Sequence, residues 1–132
     1  MLNRIALVAA FTLCVSPAFA RDDAAADHDY APSCTAPVPP ALVDGAATTK
    51  AQLDAAHEAV DAFMSQSDRF QRCLGRALGA RQDLAFSTHS NVPVVVLKQI
   101  NGRAEANQRQ KEQVGKDYNA AVKTFQAKNG TP

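Results

Sequence analysis

The sequence predicts an all-α fold: an antiparallel two-helix hairpin, coiled-coil-like, with an extended Pro-rich N-terminal arm tethered to the first helix by a disulfide. Three observations carry this expectation. Two long stretches place apolar residues at alternating steps of three and four. A short polar connection separates them. Two cysteines, Cys34 and Cys73, remain once an N-terminal export signal is set aside. At 132 residues the chain suits one small domain.

Met1–Ala20 reads as a secretory signal. Arg4 supplies the positive start, Ile5 to Val15 is an apolar run, and Ala18-Phe19-Ala20 has the small-x-small pattern that precedes cleavage. The run falls short of the roughly 20 residues that cross a bilayer as a helix. Cys14 follows Leu13, where a lipoprotein signal wants a small residue, so it leaves with the peptide. Cleavage near Ala20 implies a periplasmic or secreted protein. In such a compartment a remaining pair of cysteines most simply forms one disulfide, the alternatives being an intermolecular bridge or two free thiols.

Residues 21–47 form an acidic, Pro-rich arm. Asp22, Asp23, Asp27, His28 and Asp29 lead it, and the first dozen residues read as disordered. Pro32, Pro37, Pro39 and Pro40 then deny it a helix and favour polyproline geometry. The hairpin occupies 48–129. Helix 1 spans about 49–79: Thr49 and Gln52 have capping-box spacing, and Leu53, Ala56, Val60, Phe63, Ser67, Phe70, Leu74 and Ala77 make one seam. Gly79 reads as its stop. A polar loop covers 80–91, with His89 among turn residues and Ser90 and Asn91 as cap candidates. Helix 2 spans about 92–127, with Pro93 in its first turn. Val92, Val94, Val95 and Val96 favour a strand, but no second strand candidate exists to pair with them. Its seam runs through Leu97, Ile100, Ala104, Asn107, Lys111, Val114, Tyr118, Ala121 and Phe125. Pairing the two helices about a turn near residue 86 sets Ser67 opposite Ala104 and Asn107, a polar layer able to fix the register.

A bridge between Cys34 and Cys73 constrains the shape. Cys73 stands about 36 Å along helix 1 from Thr49, at 1.5 Å per residue. Cys34 reaches about 46 Å from the same point in polyproline geometry. The bridge therefore closes only if the arm doubles back along helix 1, which brings Leu42 and Val43 onto the hairpin.

Composition and motifs argue against catalysis. A net charge of +1 and 6% aromatic residues do not suit a nucleic-acid binder. His57-Glu58-Ala59-Val60-Asp61 lacks the second histidine of a zinc helix. Asp54, His57 and Asp61 share a face, but at a helix start, where the dipole favours acids rather than a bound cation. Ser87, His89 and Ser90 lie in a turn that offers no cavity for a nucleophile and its base. No metal site and no cofactor are expected.

Charge is uneven along the chain: residues 21–61 hold two basic and eight acidic side chains, and residues 62–132 hold eleven basic and five acidic. Near the hairpin turn Arg69, Arg72, Arg76, Arg81, Lys98 and Arg103 outnumber their acidic neighbours, which makes them candidate contacts for an anionic surface. The export signal, the cysteine in a Pro-rich arm, the F-x-x-C-L of Phe70–Leu74 and the Y-N-A-A-V-x-x-F of Tyr118–Phe125 resemble small exported proteobacterial helical-hairpin proteins with one Cys pair. That resemblance lends no activity and no functional residues. The expected protein is a non-enzymatic structural or interaction protein of the bacterial envelope, acting through hairpin packing. It would pair as a homodimer, dock on an envelope protein or contact an anionic membrane surface. The alternative is an envelope-surface or chaperone-like binder that uses the basic tip.

Overall fold

A computed structural model describes residues 28–130. The segment read as an export signal and the start of the arm lie outside the described residues. Two helices account for the regular structure: α1 (Lys50–Ser87) and α2 (Val94–Asn129). Their 38 and 36 residues make rods of about 57 and 54 Å. Residues 88–93 join them, so they form a hairpin, and cross-helix pairs climb one helix as they descend the other. Ser67 meets Asn107, and His57 meets Tyr118.

α1 starts where the capping box places it. The Thr49 hydroxyl accepts from the Gln52 backbone N–H at 3.3 Å, and the Gln52 side-chain carbonyl accepts from the Thr49 N–H at 2.9 Å. The end differs from expectation. α1 runs through Gly79 to Ser87, eight residues farther. Gly75 and Gly79 face open space, and an interior glycine costs only about 1 kcal/mol. That cost does not stop a helix whose next two turns still bury Ala85. The loop shrinks from 80–91 to 88–93. α2 begins at Val94 with Pro93 as its N-cap, not inside the first turn, and neither Ser90 nor Asn91 caps it. Val94, Val95 and Val96 are helical. The phase of α2 then puts Val96, four residues before Ile100, into the seam in place of the half-buried Leu97.

The core is two apolar clusters with a polar layer between them. Phe70, Leu74, Val96 and Ile100 form the cluster near the loop, joined by Ala31 and Cys34. Val60, Phe63 and Val114 form the other, against which Leu42, Met64 and Tyr118 pack. Between them Ser67 and Asn107 are 0% and 2% exposed, and the Asn107 amide donates to the Ser67 hydroxyl at 3.2 Å. The Asn107 carbonyl oxygen is buried without a partner. At the rim of this layer Lys111 donates to Asp68 at 2.6 Å. That hydrogen bond, with the attraction of the Lys111 charge, holds the Asp68 carboxyl below its ordinary value. Its small contribution is therefore complete above the usual aspartate range and is lost as pH falls through the lowered value.

Residues 28–49 contain no helix or strand and lie along the hairpin. Cys34 and Cys73 are bonded, with Cα atoms 5.6 Å apart. Cys34, Pro37 and Pro40 are each at least half-buried, a three-residue period that matches a three-per-turn extended chain. Helix side chains satisfy the backbone of this segment, which has no ladder of its own. Gln99 accepts from the Tyr30 N–H at 2.8 Å and donates to the His28 carbonyl at 2.7 Å. Arg103 reaches Asp29 at 2.7 Å and the carbonyls of Ala31 and Cys34 at 3.2 and 2.5 Å. At the far end Lys128 donates to the Ala46 carbonyl at 2.6 Å. There Gly45 is buried so closely that a Cβ would stand 2.0 Å from the Ala121 carbonyl oxygen, so only glycine fits.

Two outcomes follow from these contacts. Ser67→Ala strands the Asn107 amide and should lower stability by about 1–2 kcal/mol, whereas the double variant with Asn107→Leu should match or exceed the parent. Thermal melts giving simple additivity would contradict a coupled layer. Cys34→Ser should cost about 4 kcal/mol by loop entropy and open residues 28–49 to protease, read by denaturant titration and limited proteolysis.

Candidate functional site

The six basic residues singled out by charge do not form one patch. Arg103 is turned inward onto residues 29–34 and lies over the Phe70 ring at 5.4 Å. Arg81 donates to the Tyr30 carbonyl at 2.6 Å, its guanidinium over that tyrosine's ring. Both bases brace the fold. Arg69 borders an open hollow of about 330 Å³ beside the Cys34–Cys73 bond. Arg72, Arg76 and Lys98 are exposed. The residues weighed for metal binding are also occupied: Lys50 pairs with Asp54 at 2.8 Å, and His57 stacks on Tyr118 with Asp61 3.5 Å away. Among the described residues no group of three His, Cys, Asp or Glu converges.

What stands out instead is the loop end itself, and local hydrogen bonding explains its shape. Thr88 is the C-cap of α1, and its hydroxyl accepts no helix bond but donates to the Leu84 carbonyl at 2.8 Å. The His89 N–H donates to the Phe86 carbonyl at 3.2 Å, and the Ser90 N–H donates to the Ala85 carbonyl at 2.8 Å. This pair of bonds is a Schellman closure, and it requires the residue after the C-cap to turn left-handed. His89 does so, at φ 51°. The turn reverses the chain within six residues and sets the last turn of α1 beside the first turn of α2.

That geometry leaves large apolar side chains in water. Phe86 is 87% exposed, Leu84 63%, Val94 64% and Val95 36%. Only one other large apolar side chain among the described residues, Val38, is comparably exposed. From Leu84 to Leu97 the chain carries no Asp, Glu, Lys or Arg. Beside these residues lies a hollow of about 290 Å³ with a mixed wall: Leu84, Val92 and Val96 on one hand, Arg81, Thr88 and Asn91 on the other. The end of the hairpin is therefore free of Asp, Glu, Lys and Arg: an exposed polar turn, Ser87 to Asn91, flanked by Leu84, Phe86, Val94 and Val95, with Arg76, Arg81, Asp83 and Lys98 behind it.

No family model, curated protein or solved structure matches the chain. Of the six bases that charge counting gathers near the hairpin end, Arg81 and Arg103 hold residues 29–34, while Arg72, Arg76 and Lys98 stay exposed. The periodic pattern predicts an end at Gly79, which puts Leu84 and Phe86 in the loop, whereas both belong to the last turn of α1. The uncharged run from Leu84 to Leu97 was the available signal.

The left-handed turn gives a direct test. His89→Gly relieves the steric cost of a β-carbon at positive φ and should raise stability by about 1 kcal/mol in a thermal or denaturant melt. Unchanged or lower stability would contradict the closure described for the turn.

Proposed function

We propose that the protein is a non-enzymatic, exported interaction protein of the bacterial envelope, and that its braced hairpin docks through its loop end. The observation that carries this reading is the gathering of Leu84, Phe86, Val94 and Val95, all substantially exposed, at one end of a rod. Exposed apolar surface gathered in one place marks a contact. Nothing in the packing of the helices calls for these residues, since the buried seam is complete without them.

The rest of the molecule suits that role. Residues 28–49 act as an extended arm that stiffens the hairpin, covalently at Cys73 and through Arg81, Gln99, Arg103 and Lys128 along its length. A contact surface on a stiff scaffold loses less conformational entropy when it binds. Export supports the same reading: the leading segment has the pattern of a secretory signal, and a disulfide persists in an oxidising compartment. The partner is a second copy of the chain or a component of the envelope.

Site-specific photo-crosslinking in the producing cell tests the docking end. A benzophenone side chain at Phe86 should give abundant adducts, and one at Ala127, at the opposite end of α2, should give few. The mass of the adduct separates a second copy from another component. Equal or absent labelling at the two positions would remove the reading.

A further inference from the structure

We infer that the loop end is a lipid-docking tip: Leu84, Phe86, Val94 and Val95 insert into the interfacial layer of an anionic bilayer, and the bases behind them meet its headgroups. This rests on the docking reading above and names its partner.

Two features favour a bilayer over another protein surface. The first is the division along the rod axis. The stretch from Leu84 to Leu97 has no Asp, Glu, Lys or Arg, so its insertion buries no carboxylate, ammonium or guanidinium charge. Leu84 and Phe86 end α1 and Val94 and Val95 begin α2, so the exposed apolar side chains are spread over both helices, and a fluid interface accepts such a spread without a complementary surface.

The second is the position of the charges. Lys98 lies about 6 Å behind Val94 along α2, and Arg76 lies about 12 Å behind Leu84 along α1. With Arg81 they face a single acid, Asp83, in the same stretch. Insertion by about 5–10 Å brings such a collar level with headgroup phosphates, where bases are attracted to an anionic surface. Arg81 keeps its bond to the Tyr30 carbonyl with one nitrogen, which leaves Lys98 and Arg76 as the freer contacts.

No helix among the described residues is long and apolar enough to cross a membrane, so the contact is peripheral.

The chain has no tryptophan, so one introduced residue reports its surroundings without background. The oxidised protein carrying Phe86→Trp is mixed with vesicles of phosphatidylcholine alone or with phosphatidylglycerol added. Its emission should shift to the blue and be quenched by brominated acyl chains, most strongly on the anionic vesicles, while Ala127→Trp should not respond. In flotation, Leu84→Ser with Phe86→Ser should weaken partition about tenfold or more. Lys98→Glu should weaken it about fivefold or more on anionic vesicles only. Circular-dichroism melts of these surface variants should match the parent, so lost partition is not lost fold. No partition of the parent chain overturns the lipid assignment, as does partition that ignores the serine substitutions. Emission already blue without vesicles also overturns it, because the tip is then covered by a second copy or by the leading segment. Strong labelling of protein at Phe86 in the cell, without vesicle partition, would leave the docking reading standing and remove only the bilayer.

Discussion

A hairpin of two helices has one seam, and one seam leaves each helix half wet. The bond between Cys34 and Cys73 makes up that deficit by keeping residues 28–49 against the helices. Closing a loop of 39 positions removes about 4 kcal/mol of chain entropy from the unfolded state. Small domains have only about 5–15 kcal/mol in all. The tether also acts locally, because it sits beside Phe70 and Leu74 and draws Ala31 and Cys34 into the cluster they form with Val96 and Ile100. The covalent link and the larger apolar cluster are one structural unit.

Once held, the segment presents a backbone that pairs with no neighbouring strand, and the helices answer with long polar side chains. Gln99 offers a donor and an acceptor to His28 and Tyr30, in effect a single rung of a ladder. Arg103 reaches a carboxylate and two carbonyls from one planar fork, a geometry that an ammonium group does not reproduce. At the open end the match is steric: Gly45 lets the backbone touch Ala121, and Lys128 closes over Ala46. Hydrogen bonds, one disulfide and one close approach divide the length of the segment among them, so no single non-covalent contact has to hold it.

Local chemistry was readable from residues alone. Thr49 and Gln52 announce a helix start because both bonding partners lie within four positions. The three-four spacing from Leu53 to Leu74 identifies the buried face, and it puts Ser67 near Asn107. The fold-back toward Cys73 followed from chain lengths. Whatever depends on a distant partner was not readable. Gly79 resembles a stop, yet the helix ends where His89 turns left-handed, a choice set by the Ala85 and Phe86 carbonyls. Arg81 and Arg103 look like surface charge until carbonyls some fifty and seventy residues earlier arrive beside them. Gly45 looks like any loop glycine until Ala121 lies on it.

The two ends of the molecule are finished differently, and that asymmetry bears on function. At the open end a glycine and a lysine seal the segment onto α2, and Leu42 helps to cover the nearby core. At the loop end the backbone is satisfied to the same standard, by the bonds from Thr88, His89 and Ser90 into the last turn of α1. Yet Phe86 and Leu84 remain outside. Any polar residue of fair helix propensity would hold those two positions as well, because the capping bonds use their carbonyls and not their side chains. Folding therefore accounts for the path of the backbone at this end and leaves the identity of the exposed side chains unexplained. Phe86, almost wholly in water at the end of α1, adds no buried contact to the fold that displays it.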